Sequence, residues 1–195
     1  KGYEVLVFQA TGTGGKCMES LINGGFINGV LDLTTTEWCD EIAGGVLNAG
    51  PDRCSAAALN GVPAVVSVGA DDIVNFGPWN TVPEHYQGRN LYRHNPTVTL
   101  MRTTVEENEK IGHAIASKVN MSIGPCAVML PLKGVSMIDA EGQPFYAPEE
   151  DAALFKTLGE EIDPTKAELI EIGTHVNDDE FAIAAAQKLI DLMNK

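Results

Sequence analysis

Short apolar runs alternate with helix-like segments along this chain, and this alternation constrains its fold more than any other feature. The first run, residues 4–8, leads into a glycine-rich loop and then into a helical pattern over residues 16–22. Residues 27–33 and 63–68 form the next two apolar runs, each reached through helix-like sequence. Strands joined through helices at this spacing predict parallel βαβ units with right-handed crossovers.

Six strand candidates alternate with helices in this way, so we predict one Rossmann-like domain over residues 1–195. Its architecture would be a three-layer α/β/α sandwich around a mostly parallel sheet. Residues 69–102 break the alternation, and we predict a long ordered loop there, anchored by Trp79, Tyr86 and Tyr92. Loops of this length within a domain are usually functional or disordered.

Three helix starts are predicted from their capping residues. Thr103 or Thr104 is followed by acidic residues at the spacing of a capping box. Pro148 fits the first turn of a helix, where its missing N–H group is not needed. Asn177, with Glu180 three residues later, is predicted to cap the last helix.

The charge balance excludes some classes of partner. Acidic residues outnumber basic ones by 27 to 13, so the formal net charge is −14. An acidic chain repels phosphate backbones, and we expect no nucleic-acid partner. No apolar run approaches the roughly 18 residues of a membrane span, and we expect no membrane partner. The four cysteines lack zinc-ligand spacing and the start of the sequence has no signal-peptide pattern, so we expect a cytoplasmic protein.

Ligands of such folds bind beyond the carboxyl ends of the strands, and the first of these positions is the glycine-rich loop. Its residues can bring backbone N–H groups close to a phosphate or carboxylate at a helix start. The loop matches known phosphate-binding fingerprints only in part, so tight packing of helix on strand is the alternative. The predicted ligand-binding residues here are Thr11, Gly12, Thr13, Gly14 and Gly15.

Polar residues also follow the second and third predicted strands. Thr35 could bind a ligand, and Glu37 could act as a catalytic base, although both could simply cap a helix. Asp71, Asp72 and Asn75 carry oxygens suited to Mg²⁺. Adjacent side chains in an extended segment point in opposite directions, so we assign the metal and catalytic roles to Asp72 alone.

The segments around residues 93–96 and 102–104 are the most site-like of the chain. His94 is a candidate acid or base, with Asn95 beside it as a ligand-binding residue. Arg102 and Thr103 precede a helix, where a guanidinium can hold an anion through two hydrogen bonds. Lys133 is a further candidate cation. A loop histidine bonded to backbone and an arginine in a salt bridge are the structural alternatives.

Several motifs together resemble an uncharacterised protein family that is related to the tomato mosaic virus resistance protein. The resemblance lies in residues 7–15, 31–37, 49–53, 74–77, 94–96, 100–104, 134–136, 142–146 and 175–177. It implies that this chain is the carboxyl-terminal half of a two-domain protein, with the amino-terminal domain absent here. It also implies ATP binding, and for the plant relative, binding of a viral replication protein.

Three functions stay open at this point. The first is binding of a phosphorylated or carboxylated small molecule, with ATP and Mg²⁺ as the named cofactor, by a domain that we expect to form a homodimer. The second is a protein-interaction module of a two-domain protein. The third is an NAD(P)-dependent oxidoreductase, based on Gly12, Gly14 and Asp32. The residues do not decide whether the protein is an enzyme.

Overall fold

Four parallel strands form the central sheet of the computed structural model, which describes residues 2–195. Their order across the sheet is β1, β2, β6, β7. The bounds are Val30–Thr34 for β1, Ala64–Gly69 for β2, Cys126–Pro131 for β6 and Glu168–Ile172 for β7. Both inner strands, β2 and β6, are buried along their whole length. Such unbroken burial is typical of a parallel sheet that is covered on both faces.

Helices cover both faces of the sheet, which confirms the predicted three-layer α/β class. One apolar cluster joins the sheet to five helices, through residues such as Ile22, Ala57, Ile115 and Leu158. A second cluster on the opposite face packs Phe181 and its helical neighbours onto the sheet. The helices are α1 Thr13–Asn23, α2 Glu37–Ala43, α3 Ser55–Asn60, α4 Val105–Val119, α5 Pro148–Glu161 and α6 Asp179–Met193.

Much of the segment predicted as a long loop is a second, antiparallel sheet. Its strands are β3 Ile73–Phe76, β4 Leu91–Asn95 and β5 Val98–Arg102, in the order β3, β5, β4. Two short 3-10 turns, Trp79–Thr81 and Glu84–Tyr86, connect the first two of these strands. The prediction was wrong here because these strands lack long apolar runs: β3 and β5 are buried but short and interrupted by polar residues, and β4 is mostly exposed and polar.

Residues 4–8, predicted as the first strand, are not part of a sheet in the structure. Val5, Leu6 and Val7 are 75%, 53% and 80% exposed, whereas Phe8 packs against the larger apolar cluster. The apolar pattern suits a strand, but β1 pairs only with β2 among the described residues. One edge of the sheet is therefore open.

Two of the three predicted helix starts are confirmed. Thr104 forms a complete capping box with Glu107, and Pro148 occupies the first turn of α5. The third prediction is wrong, because Asp178 and not Asn177 is the residue that precedes α6. The Asp178 carboxylate accepts a hydrogen bond from the His175 backbone, so the chain turns one residue later than predicted.

Two sequence expectations about the chemistry of the chain can be compared with the fold. Within residues 2–195, no helix is long and apolar enough to cross a membrane. All four cysteines are free thiols; Cys39, Cys54 and Cys126 are buried, as expected, whereas Cys17 is exposed.

Candidate functional site

The polar residues beyond the strands form two enclosed clusters and one open groove. The Glu37 cluster lies beyond β1 and consists of Glu37, Arg53, Asp32 and Glu19 with the glycine-rich loop. The Arg102 cluster lies where the two sheets meet and consists of Arg102, Asp72, Asp139, Asp151 and Ser136. The Trp79 groove lies on the antiparallel sheet.

The buried Glu37 carboxylate accepts hydrogen bonds from backbone N–H groups of the glycine-rich loop. Its Oε1 accepts hydrogen bonds from the backbone N–H groups of Gly12, at 2.8 Å, and Gly15, at 3.2 Å. Its Oε2 accepts a hydrogen bond of 2.5 Å from Arg53 Nε. Only 1% of Glu37 is exposed. The carboxylate of this residue thus occupies the position predicted for a ligand anion.

The loop needs glycine because it approaches its neighbours so closely. Gly12 has a φ of +77°, and a Cβ there would lie 2.6 Å from the Asn48 carbonyl oxygen. A Cβ on Gly15 would lie 2.5 Å from the Glu37 carboxylate. Such close contacts favour the alternative interpretation, in which the glycines serve tight packing within the protein. Ligand binding by Thr11, Thr13 and the loop glycines stays a prediction.

Arg53 links the Glu37 cluster by contacting residues of β1, α1 and α2. Both Asp32 oxygens accept from its guanidinium, and the Nη2–Oδ1 distance is 2.6 Å. Glu19 lies 3.5 Å from Arg53 Nη1 and accepts hydrogen bonds from the Cys54 and Ala56 backbone at the start of α3. Burial raises the pKa of the Glu19 carboxyl, and Arg53 opposes this shift.

Asp71 belongs to a buried chain of hydrogen bonds with Thr35 and Ser67. The Thr35 hydroxyl lies 2.8 Å from the Ser67 carbonyl oxygen and 2.9 Å from Asp71 Oδ2. Complete burial raises the pKa of the Asp71 carboxyl well above its ordinary value. A protonated Asp71 can donate to Thr35, whose own hydrogen then goes to Ser67, so every group in this chain of bonds is satisfied.

In the Arg102 cluster, one guanidinium faces several carboxylates. Arg102 Nη2 lies 2.5 Å from Asp151 Oδ1 and 3.6 Å from Asp139 Oδ1. Its other nitrogens donate to the Phe145 carbonyl and to Thr103. Arg102 is 4% exposed, so this arrangement matches the salt-bridge alternative. Anion binding by Arg102 and Thr103 stays a prediction.

Asp72 completes this cluster from the other side. Its Oδ2 accepts a hydrogen bond of 2.7 Å from Ser136, while its buried Oδ1 has no partner within residues 2–195. Burial raises the pKa of Asp72 to about 6, against the opposing effect of Arg102. Burial likewise raises the pKa of Asp151 to about 7. These two carboxyls therefore take up protons at higher pH than ordinary aspartates do.

No set of three or more His, Cys, Asp or Glu side chains in the described part of the chain has the geometry of a metal site. The metal-binding role of Asp72 and the catalytic roles of Asp72 and Glu37 stay predictions. Both carboxylates are enclosed, since Asp72 is fully buried and Glu37 nearly so. Chemistry at either would require the surrounding loops to open.

The Trp79 groove is the accessible site of the antiparallel sheet. It has a volume of about 460 Å³ and is open to solvent. Its lining residues are Pro78, Trp79, Asn80, Arg93, Asn95 and Pro96. The 3-10 turn that holds Trp79 and the end of β4 that holds Asn95 thus both contribute to its lining.

Arg93 differs from the other three arginines. Arg53, Arg89 and Arg102 each form an ion pair with at least one carboxylate. In the structure described here, Arg93 has no carboxylate within 4.0 Å, and its guanidinium lies 5.2 Å from the centre of the Trp79 ring. A cation held over an indole keeps its charge available to a ligand.

The remaining predicted site residues lie apart from these groups. His94 is exposed on β4, and Lys133 is exposed beyond β6. Among residues 2–195, neither side chain forms a hydrogen bond or ion pair with either cluster. Asn75 is buried and bonds to Asp40, whose pKa is raised by burial to about 6. The roles assigned to His94, Lys133 and Asn75 stay predictions.

Sequence reasoning gave no role to Arg53, Asp139 or Asp151, and it placed Arg93 in a site-like segment without giving that residue a role. The scarcity of arginine was a usable signal, because each of the four guanidiniums proves to organise its surroundings. Nothing in the sequence indicated Asp139 or Asp151, since they reach Arg102 from 37 and 49 residues away in the chain. Such contacts depend on the tertiary fold.

The sheet order, the helices on both faces and the polar clusters beyond the strands define a Rossmann-like α/β domain. Comparison with known proteins places it more narrowly. The chain belongs to the C-terminal domain of an uncharacterised protein family, UPF0261, whose family model matches residues 1–193. The resemblance predicted from the sequence motifs is thereby confirmed.

Relatives occur in bacteria and in a plant. A UPF0261 protein of Clostridium tetani is 60% identical and one of Rhizobium meliloti is 50% identical, over 100% and 98% of this chain and 48% of each relative. The ToMV resistance protein Tm-1(GCR237) of Solanum lycopersicum is 45% identical over 100% of this chain and 26% of its own length. This chain spans about half the length of the bacterial relatives.

Proposed function

We propose that this domain binds a small carboxylated or phosphorylated molecule in the Trp79 groove. The observation that carries the proposal is Arg93, the arginine whose charge no carboxylate of the described chain neutralises. On a protein with a formal net charge of −14, a free guanidinium in a groove is a specific place for an anion.

The other lining residues fit the same class of ligand. Trp79 is 43% exposed and offers an indole surface to a planar group. The Asn95 side-chain oxygen accepts hydrogen bonds from Thr97, which holds the amide in place and leaves its NH₂ group as a donor. The volume of about 460 Å³ lies within the usual range of small-molecule sites.

ATP with Mg²⁺ fits this groove only in part. The lining has one cation and one indole, which suit a phosphate and a base, but it includes no carboxylate that could hold Mg²⁺. A single phosphate or carboxylate on a planar molecule matches the residues present. A metal-bound triphosphate would need ligands from elsewhere in the full-length protein.

Binding can be measured through Trp79 itself. In a Trp38→Phe background, Trp79 is the remaining tryptophan, so its fluorescence reports the groove. We expect a saturable change with at least one member of a panel of nucleoside monophosphates, sugar phosphates and aromatic carboxylates. Arg93→Ala should weaken that binding by about 10-fold or more, because a charge-assisted hydrogen bond is lost.

Lys133→Ala is the matched control, since it removes an exposed cation outside the groove. Equal affinity of wild type and Arg93→Ala, or a panel without any saturable change, would contradict the proposal. If Lys133→Ala alone loses binding, the ligand binds beyond β6, near Lys133, and not in the Trp79 groove.

An interaction module is the second candidate, and exposed apolar residues at the other end of the sheet favour it. Phe26 precedes β1, Leu59 lies at the end of α3 shortly before β2, and Ile123 precedes β6. These three residues are 73%, 55% and 73% exposed. Clustered apolar side chains of this kind mark contact surfaces. Light scattering tests the predicted homodimer, and Ile123→Glu should abolish self-association if this surface mediates it.

No observation of comparable weight supports the third function, an NAD(P)-dependent oxidoreductase. Asp32 would have to face a ribose hydroxyl. Instead both of its oxygens accept hydrogen bonds from Arg53, and the residue is 6% exposed. The amides of Gly12 and Gly15 are likewise bound to Glu37.

A further inference from the structure

The open edge of β1 and the exposed residues 4–8 complement each other. β1 pairs with β2 on one side, and no described strand pairs with its other side. Residues 4–8 form no backbone hydrogen bond in the described chain, and three of their apolar side chains are more than half exposed. A strand edge and an unpaired apolar segment are both unfavourable in water.

We propose that the edge of β1 is a strand-binding surface and that its occupant is residues 4–8 of the same chain. The segment adds as a fifth strand, parallel to β1, and the structure holds it undocked. The sheet order then becomes residues 4–8, β1, β2, β6, β7. Three independent features of the structure support this position.

The path of the chain sets the direction of the added strand. The amides of Gly12 and Gly15 are bound to Glu37, which lies three residues beyond the end of β1 at Thr34. Residues 8 and 9 therefore lead into α1 near the carboxyl end of β1. A segment that ends there and lies along β1 must run in the same direction as β1.

The helices set the side on which the strand adds. Met18 and Ile22 of α1 belong to the same apolar cluster as Val30 of β1, and α1 packs against α3. Both helices thus cover the same face of the sheet. A right-handed crossover through α1 then places the preceding strand on the outer side of β1, away from β2.

The side chains match the two faces at this edge. Phe8 already packs in the α1-side cluster, so strand alternation directs Leu6 to that face and Val5 and Val7 to the other. On that other face, Leu31 of β1 is 39% exposed and Leu33 lies at the margin of the α6 cluster. Docking would cover all of these apolar groups together.

Paired cysteines test the position directly. With residue 8 aligned to Thr34, Val5 neighbours Leu31 and Val7 neighbours Leu33. We would place cysteines at Val5 and Leu31, or at Val7 and Leu33, in a Cys17→Ser background that removes the exposed native thiol. Dibromobimane, which becomes fluorescent when it joins two thiols, is the probe.

The control is a cysteine pair at Val7 and Ile123, two sites that are similarly exposed at 80% and 73% but lie at opposite ends of the sheet. We expect the edge pairs to give an intramolecular cross-link at least about 5-fold faster than the control. Leu6→Pro, and Val5→Pro in the pair at Val7 and Leu33, remove two successive N–H groups, one of which must face β1. At least one of these substitutions should therefore reduce that rate to the control level.

Two results would overturn the proposal. Cross-linked dimers at low protein concentration would make a second copy the occupant. If both edge pairs cross-link only as fast as the control pair, residues 4–8 do not bind the edge of β1. Circular dichroism of each variant establishes that it is folded before either result is counted.

Discussion

At the scale of single residues, charge inside this domain is arranged around arginines that each face more than one carboxylate. Arg53 contacts Asp32, Glu37 and Glu19, and Arg102 contacts Asp151 with Asp139 nearby. Carboxylates outnumber guanidiniums in both clusters. The excess is accommodated in part by protons, because burial raises several carboxyl pKa values.

Glu37→Ala is expected to lower the free energy of unfolding by about 3–5 kcal/mol, because it leaves buried donors without an acceptor. Urea denaturation measures the loss, and Glu106→Ala, in an exposed pair with Lys110, is the control with little effect. Millimolar formate should restore part of the stability of Glu37→Ala by filling the vacated position. A variant as stable as wild type would show that the glycine-rich loop does not depend on this carboxylate.

Asp72→Asn is expected to flatten the dependence of stability on pH. The folded pKa of about 6 exceeds the ordinary value of 3.8, so the native state binds the proton more tightly than the unfolded chain. The resulting stabilisation is complete below about pH 4 and is lost as the pH rises through about 6, by on the order of 3 kcal/mol. Denaturation at a series of pH values measures the slope.

The control for that experiment is Asp52→Asn, whose side chain is 93% exposed and should leave the slope unchanged. The asparagine at position 72 keeps an oxygen that can accept the Ser136 hydrogen bond, so packing is preserved. A wild-type slope in Asp72→Asn would assign the pH dependence to Asp71 or Asp151 instead.

At the scale of elements, the sequence predicted those helices and strands whose formation depends on residues close together in the chain. The strands β2 and β6 were found because continuous burial requires continuous apolar sequence, and α4 because its capping box is encoded within four residues. The antiparallel sheet was missed because its strands are only four or five residues long and mix polar with apolar side chains, and because β3 pairs with β5 rather than with the next strand along the chain. The buried clusters were missed for the same reason, since proximity in space is not visible in spacing along the chain.

Thr104→Ala should cost about 1 kcal/mol of stability by removing the acceptor that satisfies the Glu107 backbone N–H. The measurement is the free energy of unfolding in urea. Thr97→Ala, in the exposed turn between β4 and β5, removes the same atoms and should have less than half that effect. Equal losses in the two variants would mean that the cap itself contributes little.

At the scale of the whole molecule, the polar groups that solvent can reach lie apart from the polar groups that are enclosed. The two acidic clusters are sealed between layers, whereas the Trp79 groove lies on the outer sheet. Residue types alone suggested that every polar loop beyond a strand could contribute to one site. The fold shows that many of these residues instead bind to one another within the domain.

The net charge of −14 predicts that salt stabilises the domain by screening repulsion among its carboxylates. Between about 0.02 M and 0.5 M NaCl, we expect the melting temperature to rise by about 3 °C or more. Choline chloride at equal concentration is the control, because general screening should not depend on the cation. A melting temperature that falls with salt would show that surface ion pairs outweigh the net repulsion.

The raised carboxyl pKa values also make folding a reaction in which protons take part. Because the pKa of Asp72 is raised to about 6 and that of Asp151 to about 7, the folded chain binds more hydrogen ions than the unfolded chain at pH values between the ordinary value of 3.8 and these raised values. In that pH range, the folding of each molecule draws protons from its surroundings, and each unfolding event returns them. The interior of the domain acts as a small store of acid, filled and emptied by the folding transition itself.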